Sequence, residues 1–169
     1  MALCILVSST SILGADMSVK ITRSGIELTQ LALFDGNPTL VAGVLKGSTN
    51  NEPDASEVNV AKYAMYQEYG TSTTPARPFL RNAIEKNQDE WIRHIKQGLK
   101  AGVDTRRVLE TIRNMVRGDI IRSIKSSGDY APLSPATVKA KKRKGRAQPD
   151  SPLVDSETLI RSIETEIRE

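Results

Sequence analysis

The chain is poor in the residues that most metal sites and many covalent catalysts require. Its 169 residues include one cysteine, Cys4, and one histidine, His94. A single cysteine cannot form an intrachain disulfide, and a structural zinc site needs more Cys and His ligands than this chain offers. No Asp-rich loop has the spacing of a calcium or magnesium site. We therefore expect a fold held by packing alone, without a metal or cofactor.

Catalytic motifs are missing as well. The sequence contains no G-x-S-x-G elbow, no GxxxxGK[ST] loop, no GxGxxG and no H-E-x-x-H. A Cys–His pair would require Cys4, near the N-terminus, to meet His94, in an amphipathic helical pattern. A small hydrolase stays a distant alternative, because general acids need no motif. The expectation is a protein without enzymatic activity.

Long hydrophobic runs are also absent. No segment approaches the roughly 20 apolar residues of a membrane-spanning helix, so we expect no membrane contact. Residues 1–16, MALCILVSSTSILGAD, form an N-terminal arm with three open interpretations. They resemble a weak signal peptide that lacks a basic residue before its short apolar stretch. They also fit an apolar strand or arm, or the natural start is Met17.

Aromatic residues make up only 4% of the chain, and hydrophobic residues 38%. This lean composition predicts either long exposed elements or a surface that a partner completes. The formal net charge of +4 is compatible with nucleic acid or acidic protein partners but requires neither.

Apolar spacing predicts an α+β fold, with a small, mostly antiparallel sheet packed against two long amphipathic helices. We divide the sequence into the arm (1–16), an α+β core (17–128), and a basic segment with a C-terminal helix and strand that packs on the core (129–169). Strands are predicted at Ser18 to Arg23, at Thr39 to Gly47 and in the final ETEIRE, while Ile26 to Phe34 fits helix or strand. The order in which the strands pair is not derivable.

Helix boundaries follow from capping residues. Asp104 is the expected N-cap of a long helix from about Thr105 to Ser127, and Ser134 that of a short basic helix. Asp155 or Ser156 is expected to cap the last helix.

The stretch EYGTSTTPARPFLR, Glu68 to Arg81, separates two helical patterns. Pro75 and Pro78 fix φ and favour extended geometry at the preceding residues, which predicts a stiff, non-helical connector. Arg77 on such a rigid base needs little further ordering to bind a carboxylate or phosphate. The alternative is an ordinary loop in which one proline begins the next helix.

The run KAKKRKGR is the densest charge feature. Its six cations, with no acid between them, are Lys139, Lys141, Lys142, Arg143, Lys144 and Arg146. On a helix they would surround most of the circumference, so we expect that no face of this segment is buried. It either faces phosphates or acidic groups, with salt-sensitive binding, or is a solvated insertion. Stacking aromatics are missing beside it, which argues against a sequence-reading single-strand binder.

Two blocks of the sequence, taken together, carry a family resemblance. The first, VAKYAMYQEYGTSTTPARPFLRNAIEKN at residues 60–87, has an alanine-rich helix ending in Glu-aromatic-Gly, a polar loop, and P-x-R-P-F-hydrophobic-R. The second, PLSPATVKAKKRKG…SPLVDSETLIRSI at residues 132–163, has P-L-S-P-x-T, a basic stretch, and P-L-V-D-S-x-x-L-x-x-S-I. Both blocks resemble bacteriophage tail-completion and head–tail joining (neck) proteins. The family often has Thr-Gly where Ser156 and Glu157 stand here, and residues 1–16 have no counterpart.

The resemblance implies a structural virion component at the phage neck, assembled in the host cytoplasm. Copies of the protein would form a ring, a hexamer by expectation, around the DNA channel. Its other partners would be portal-side neck proteins and the tail terminator or tail tube protein, with non-specific contact to DNA. The implied contact residues between subunits are Glu68, Tyr69, Arg77, Pro78, Phe79 and Arg81, and the basic run would face DNA or an acidic partner. A tail terminator and a basic DNA-binding accessory protein are the alternatives.

Overall fold

The computed structural model describes residues 2–8, 18–24, 38–44, 60–155 and 157–168, and within these ranges it is an α+β fold. The strands are β1 (Ala2–Ser8), β2 (Ser18–Ser24), β3 (Thr39–Val44) and β4 (Ile163–Arg168). The helices are α1 (Val60–Tyr69), α2 (Phe79–Lys100), α3 (Thr105–Lys125), α4 (Pro135–Arg143) and α5 (Thr158–Arg161), with a 3-10 turn at Ser127–Asp129. The predicted fold class is confirmed.

The four strands form one antiparallel sheet in the order β2-β1-β3-β4. β1 pairs with β2 from Ala2 opposite Ser24, and β3 pairs with β4 from Val44 opposite Ile163. Three interpretations of the N-terminal arm were open, and for Ala2–Ser8 the structure shows the apolar strand. The ambiguous range 26–34 lies outside the described residues.

α2 and α3 form an antiparallel hairpin whose apolar stripes face each other and the sheet. Asp104 caps α3 as predicted, because its carboxylate accepts the N–H groups of Arg106 and Arg107. The helices pack tightly at Gly98, where a Cβ would lie 2.7 Å from a methyl group of Val108. None of the helices in the described part of the protein is long and apolar enough to span a membrane.

Buried polar contacts fix how the two helices sit against each other. The Trp91 indole donates a hydrogen bond to Asp119 Oδ2 at 2.8 Å. The Ser123 hydroxyl donates to the Phe79 carbonyl at 2.7 Å, and the Tyr130 hydroxyl donates to the Ser123 carbonyl at 2.7 Å. The Ser123 bond joins the start of α2 to the end of α3, so the residue at which the connector enters α2 is held in a fixed position.

One capping prediction is wrong. Asp155 is not the N-cap of α5, because Glu157 occupies that position and its side chain makes no cap bond; Ser156, the other predicted cap, lies outside the described residues. Glu157 has φ 61, in the left-handed region, and this turn delays the start of the helix beyond the predicted cap.

Candidate functional site

Arg77 of the first sequence block contacts the residue that immediately precedes the second block. Its Nε donates to the Ala131 carbonyl at 3.3 Å, and its Nη1 donates to Gln67 Oε1 at 3.2 Å. The residue is only 4% exposed. Arg77 therefore ties the end of α1 to the segment that enters the second block.

The connector, residues 70–78, is non-helical as predicted and folds back over the end of α1. Gly70 has φ 78, a value that favours glycine. The Thr71 N–H donates to the Thr74 carbonyl at 2.9 Å, and the Arg77 N–H donates to the Gln67 carbonyl at 2.6 Å. A Cβ at Gly70 would lie 2.9 Å from the Thr74 carbonyl oxygen, so the close backbone contact also requires glycine.

Glu68 connects the two helices that flank the connector. Pro78, at the N-cap of α2, offers no capping hydrogen bond from its side chain. The fully buried Glu68 supplies it instead, since Oε2 accepts the Leu80 N–H at 2.9 Å and Oε1 accepts the Arg81 N–H at 3.1 Å. Oε1 also pairs with Arg81 Nε at 3.0 Å. A carboxylate here accepts hydrogen bonds from N–H groups that have no intrahelical partner, and its negative charge interacts favourably with the positive end of the helix dipole.

The six predicted contact residues divide into two groups. Three are buried inside the subunit: Glu68, Arg77 and Phe79. All three side chains are held by contacts within the subunit, so Arg77 does not stand free on an edge, although it lines a cleft described below. Tyr69 is 55% exposed, while Pro78 and Arg81 are partly buried. The Arg81 guanidinium lies 5.2 Å from the centroid of the Tyr69 ring, so these two side chains offer one accessible surface.

The expectation that the basic run buries no face is wrong. Lys141 is 8% exposed, and its Nζ donates to the Ser151 carbonyl at 2.8 Å and the Val154 carbonyl at 2.7 Å. Burial lowers the pKa of the Lys141 amine. Because its ammonium binds two carbonyls of the segment after α4, Lys141 holds that segment against the helix.

The other cations of the run differ from Lys141. Four are exposed: Lys139, Lys142, Arg143 and Lys144. Arg146 forms an ion pair with Asp155, with 3.3 Å between Nε and Oδ1. Ser134 caps α4 as predicted by accepting the Thr137 N–H.

A cleft of about 660 Å³ lies between the connector and the second block, and we call it the block cleft. Its apolar wall includes Pro75, Leu133 and Pro152, and its charged groups are Arg77, Lys141, Lys144 and Asp155. Tyr63 of α1 also lines it, and burial raises the pKa of this phenol, which keeps its O–H as a hydrogen-bond donor. The block cleft thus combines an excess of cations with hydroxyl and apolar groups.

The structure contains a second basic groove that no sequence motif indicated. It lies between α3 and β4, and four arginines line it: Arg113, Arg117, Arg161 and Arg168. Arg117 Nε donates to the Ile163 carbonyl at 2.8 Å, and Arg168 pairs with Glu166 at 2.7 Å. The arginines of α3 are visible in the sequence, but their proximity to β4 depends on the sheet order.

Comparisons with protein-family models, curated proteins and solved structures found no match to this protein. Within the described ranges, no group of three His, Cys, Asp or Glu side chains is placed to hold a metal ion. His94 lies on α2 with Nε2 3.7 Å from Glu90 Oε1.

Proposed function

We propose that this protein is a structural component of a tailed-bacteriophage virion, a tail-completion or head–tail joining subunit of a ring at the neck. The observation that carries the proposal is the meeting of the two blocks that resemble this family. Residues 88–131 separate them in sequence, yet Arg77 of the first block and Lys141 of the second line one cleft. Two motifs that line one cleft are expected to work together, which supports treating both blocks as parts of one family pattern.

The exposed side of α1 supplies a surface suited to a neighbouring subunit. Met65, Tyr66 and Tyr69 are 43%, 39% and 55% exposed. Met65 and Tyr66 lie four and three residues before Tyr69 and therefore on adjoining positions of the helix surface. Methionine and tyrosine are enriched at protein interfaces, and a contact between unlike surfaces of identical copies closes into a ring when the rotation fits. The lean hydrophobic content agrees with a surface that a neighbour completes.

Electron microscopy of particles from a phage with a stop codon in this reading frame tests the assignment. DNA-filled heads beside separate tails of normal length are expected for a joining or completion protein. Overlong tails would indicate a tail terminator instead. Intact, infectious particles would refute a role at the neck.

Variants of the α1 surface test where subunits meet. Met65→Ser and Tyr69→Ser, supplied to that phage, are expected to reduce infectious particles while leaving the thermal stability of the purified protein nearly unchanged. Val103→Ser is the matched control, because Val103 is 37% exposed but lies between α2 and α3. If the control reduces infectivity as much as the α1 variants, the surface is not specific.

A DNA-binding accessory protein is the second candidate, favoured by the exposed cations of α4 and by the groove between α3 and β4. If this candidate is right, the unassembled protein should shift the electrophoretic mobility of a DNA duplex, and the shift should be sensitive to salt. Charge reversal at Lys142 and Arg143 would then weaken the shift, with Lys141 left unchanged because its burial would confound the result. If the duplex does not bind at low salt, this candidate fails.

A further inference from the structure

Two buried cations share the block cleft without a carboxylate bound to either of them in the described part of the protein. Arg77 donates to a carbonyl and an amide oxygen, and Lys141 donates to two carbonyls. Taking a cation out of water is unfavourable unless dipoles or an opposite charge compensate it. Neutral oxygens supply the dipoles but leave the net charge in place. The base of the cleft therefore keeps an attraction for an anion.

The charge at the mouth of the cleft has the same sign. Lys144 lines it and is exposed. Among the described residues of the lining, Asp155 is the only acidic one; it attracts the Lys141 ammonium and also pairs with Arg146 at 3.3 Å, so the three cations of the lining keep an excess of positive charge. An entering anion thus meets a cation at the mouth and two more at the base.

Shape and polarity narrow the class of ligand. A volume of about 660 Å³ is in the range of sites that enclose a small molecule or a few residues of a peptide. Pro75, Leu133 and Pro152 offer apolar contact, and Tyr63 and Thr137 bring hydroxyl groups. This mixture suits a segment with one anionic group among apolar atoms.

We propose that the block cleft binds a peptide carboxylate, carried by an extended and partly apolar segment of a partner protein. The planar Arg77 guanidinium contacts the carboxylate, Lys141 adds positive charge beside it, and Lys144 attracts it at the mouth. The carboxylate belongs either to an acidic residue of that segment or to its C-terminus. Duplex phosphates suit the site less well, because Arg77 is 4% exposed and the phosphates of a rigid duplex stay at the protein surface. This chemistry does not depend on the assembly in which the protein works.

Nuclear magnetic resonance of the ¹⁵N-labelled full-length protein tests the proposal with three probes. They are N-acetyl-glutamate α-methylamide, whose only carboxylate is the γ-carboxylate, N-acetyl-leucine, with a terminal carboxylate only, and a short DNA duplex. At least one acid is expected to shift the amides of Thr74, Ser134 and Thr137 saturably, with a dissociation constant of the order of 1–10 mM. The tighter of the two acids identifies the source of the carboxylate. Absence of saturable shifts up to about 50 mM acid, or duplex binding at these amides that the acids do not displace, would overturn the proposal.

A pair of charge reversals near the end of α4 separates the cleft from general electrostatics. Lys144→Glu is expected to weaken the bound acid about fivefold, since the cation at the mouth becomes an anion. Lys142→Glu makes the same change on an exposed residue that does not line the cleft, and is expected to weaken it less than about twofold. Equal weakening by both would refute a specific site.

Arg77→Lys tests the contact itself, because lysine keeps the charge but loses the planar fork. The titration is carried out well below the thermal midpoint of the variant, so that a loss of folded protein does not account for the result. Under these conditions the variant should bind the acid more weakly than the unsubstituted protein. Undiminished binding by a folded variant would remove Arg77 from the site.

Discussion

Replacing Gly70 with alanine should destabilise the protein much more than replacing Gly102 with alanine. The two glycines follow α1 and α2 and have nearly the same φ, 78 and 73. They differ in what an added Cβ would meet. At Gly70 it would lie 2.9 Å from both the Ala76 nitrogen and the Thr74 carbonyl oxygen, whereas at Gly102 no atom of the described residues lies within 4 Å.

The expected magnitudes follow from this difference. Alanine in the left-handed region costs about 1 kcal/mol relative to glycine, and this cost applies at both positions. At Gly70 the added methyl group also presses on backbone atoms, which the bond from the Arg77 N–H to the Gln67 carbonyl holds in place. Overpacking of this kind adds about 1–3 kcal/mol. The free energy of unfolding should therefore fall by about 1 kcal/mol for Gly102→Ala and about 2–4 kcal/mol for Gly70→Ala.

Urea unfolding followed by far-ultraviolet circular dichroism measures both losses under identical conditions, provided that the m-values agree. Because the shared φ cancels in the comparison, the difference between the variants reports the contact with the connector alone. Equal losses would refute the reasoning, since the connector would then not close over Gly70.

Three further predictions concern buried polar groups. Glu68→Gln should lower the free energy of unfolding by about 1–2 kcal/mol, because the charge that caps α2 is lost. The control Glu90→Gln, on the exposed side of α2, should change it by less than about 0.5 kcal/mol, and equal effects in urea titrations would contradict the prediction. Lys141→Met should lower the free energy of unfolding by about 1–3 kcal/mol, because two carbonyls lose their hydrogen-bond donor. Lys142→Met should leave it nearly unchanged in the same assay, and an equally small effect of Lys141→Met would refute the structural role of Lys141. Burial raises the pKa of Tyr130, so the stability due to its neutral phenol is complete below the ordinary tyrosine pKa and is lost as pH rises through the raised value. Tyr130→Phe should flatten the fall of urea midpoints above about pH 10, and an unchanged slope would argue against this cause.

The features that the sequence predicted correctly have local causes. Asp104 and Ser134 cap their helices through bonds that span two or three residues, so the motif and its partner lie together in the sequence. The apolar stripe of α3 likewise repeats with the helix period, and its predicted extent, Thr105 to Ser127, exceeds the observed Thr105–Lys125 by two residues. The strand over the final residues follows from simple alternation.

The site depends on contacts that no local pattern marks. Glu68 binds N–H groups beyond an irregular connector, and Lys141 binds carbonyls in a turn after its own helix. Charge density alone therefore predicted that Lys141 is not buried, which is wrong, whereas its neighbours Lys142 and Arg143 are exposed as expected. The order of the strands could not be predicted for the same reason: alternation assigns each residue to a face of the sheet, but it does not determine which strand lies next to it.

The position of β3 has a consequence for the time course of folding. Its pairing with β4 joins residues about 120 positions apart, whereas the α2–α3 hairpin closes through a short turn. Because closing a long loop costs entropy before its contacts form, we expect the hairpin to acquire protection early and the β3–β4 ladder late. Pulsed hydrogen exchange during refolding would show this order directly. Until β4 arrives, one edge of β3 stays open to other strands, so the nascent protein should be most prone to self-association in the interval between these two events.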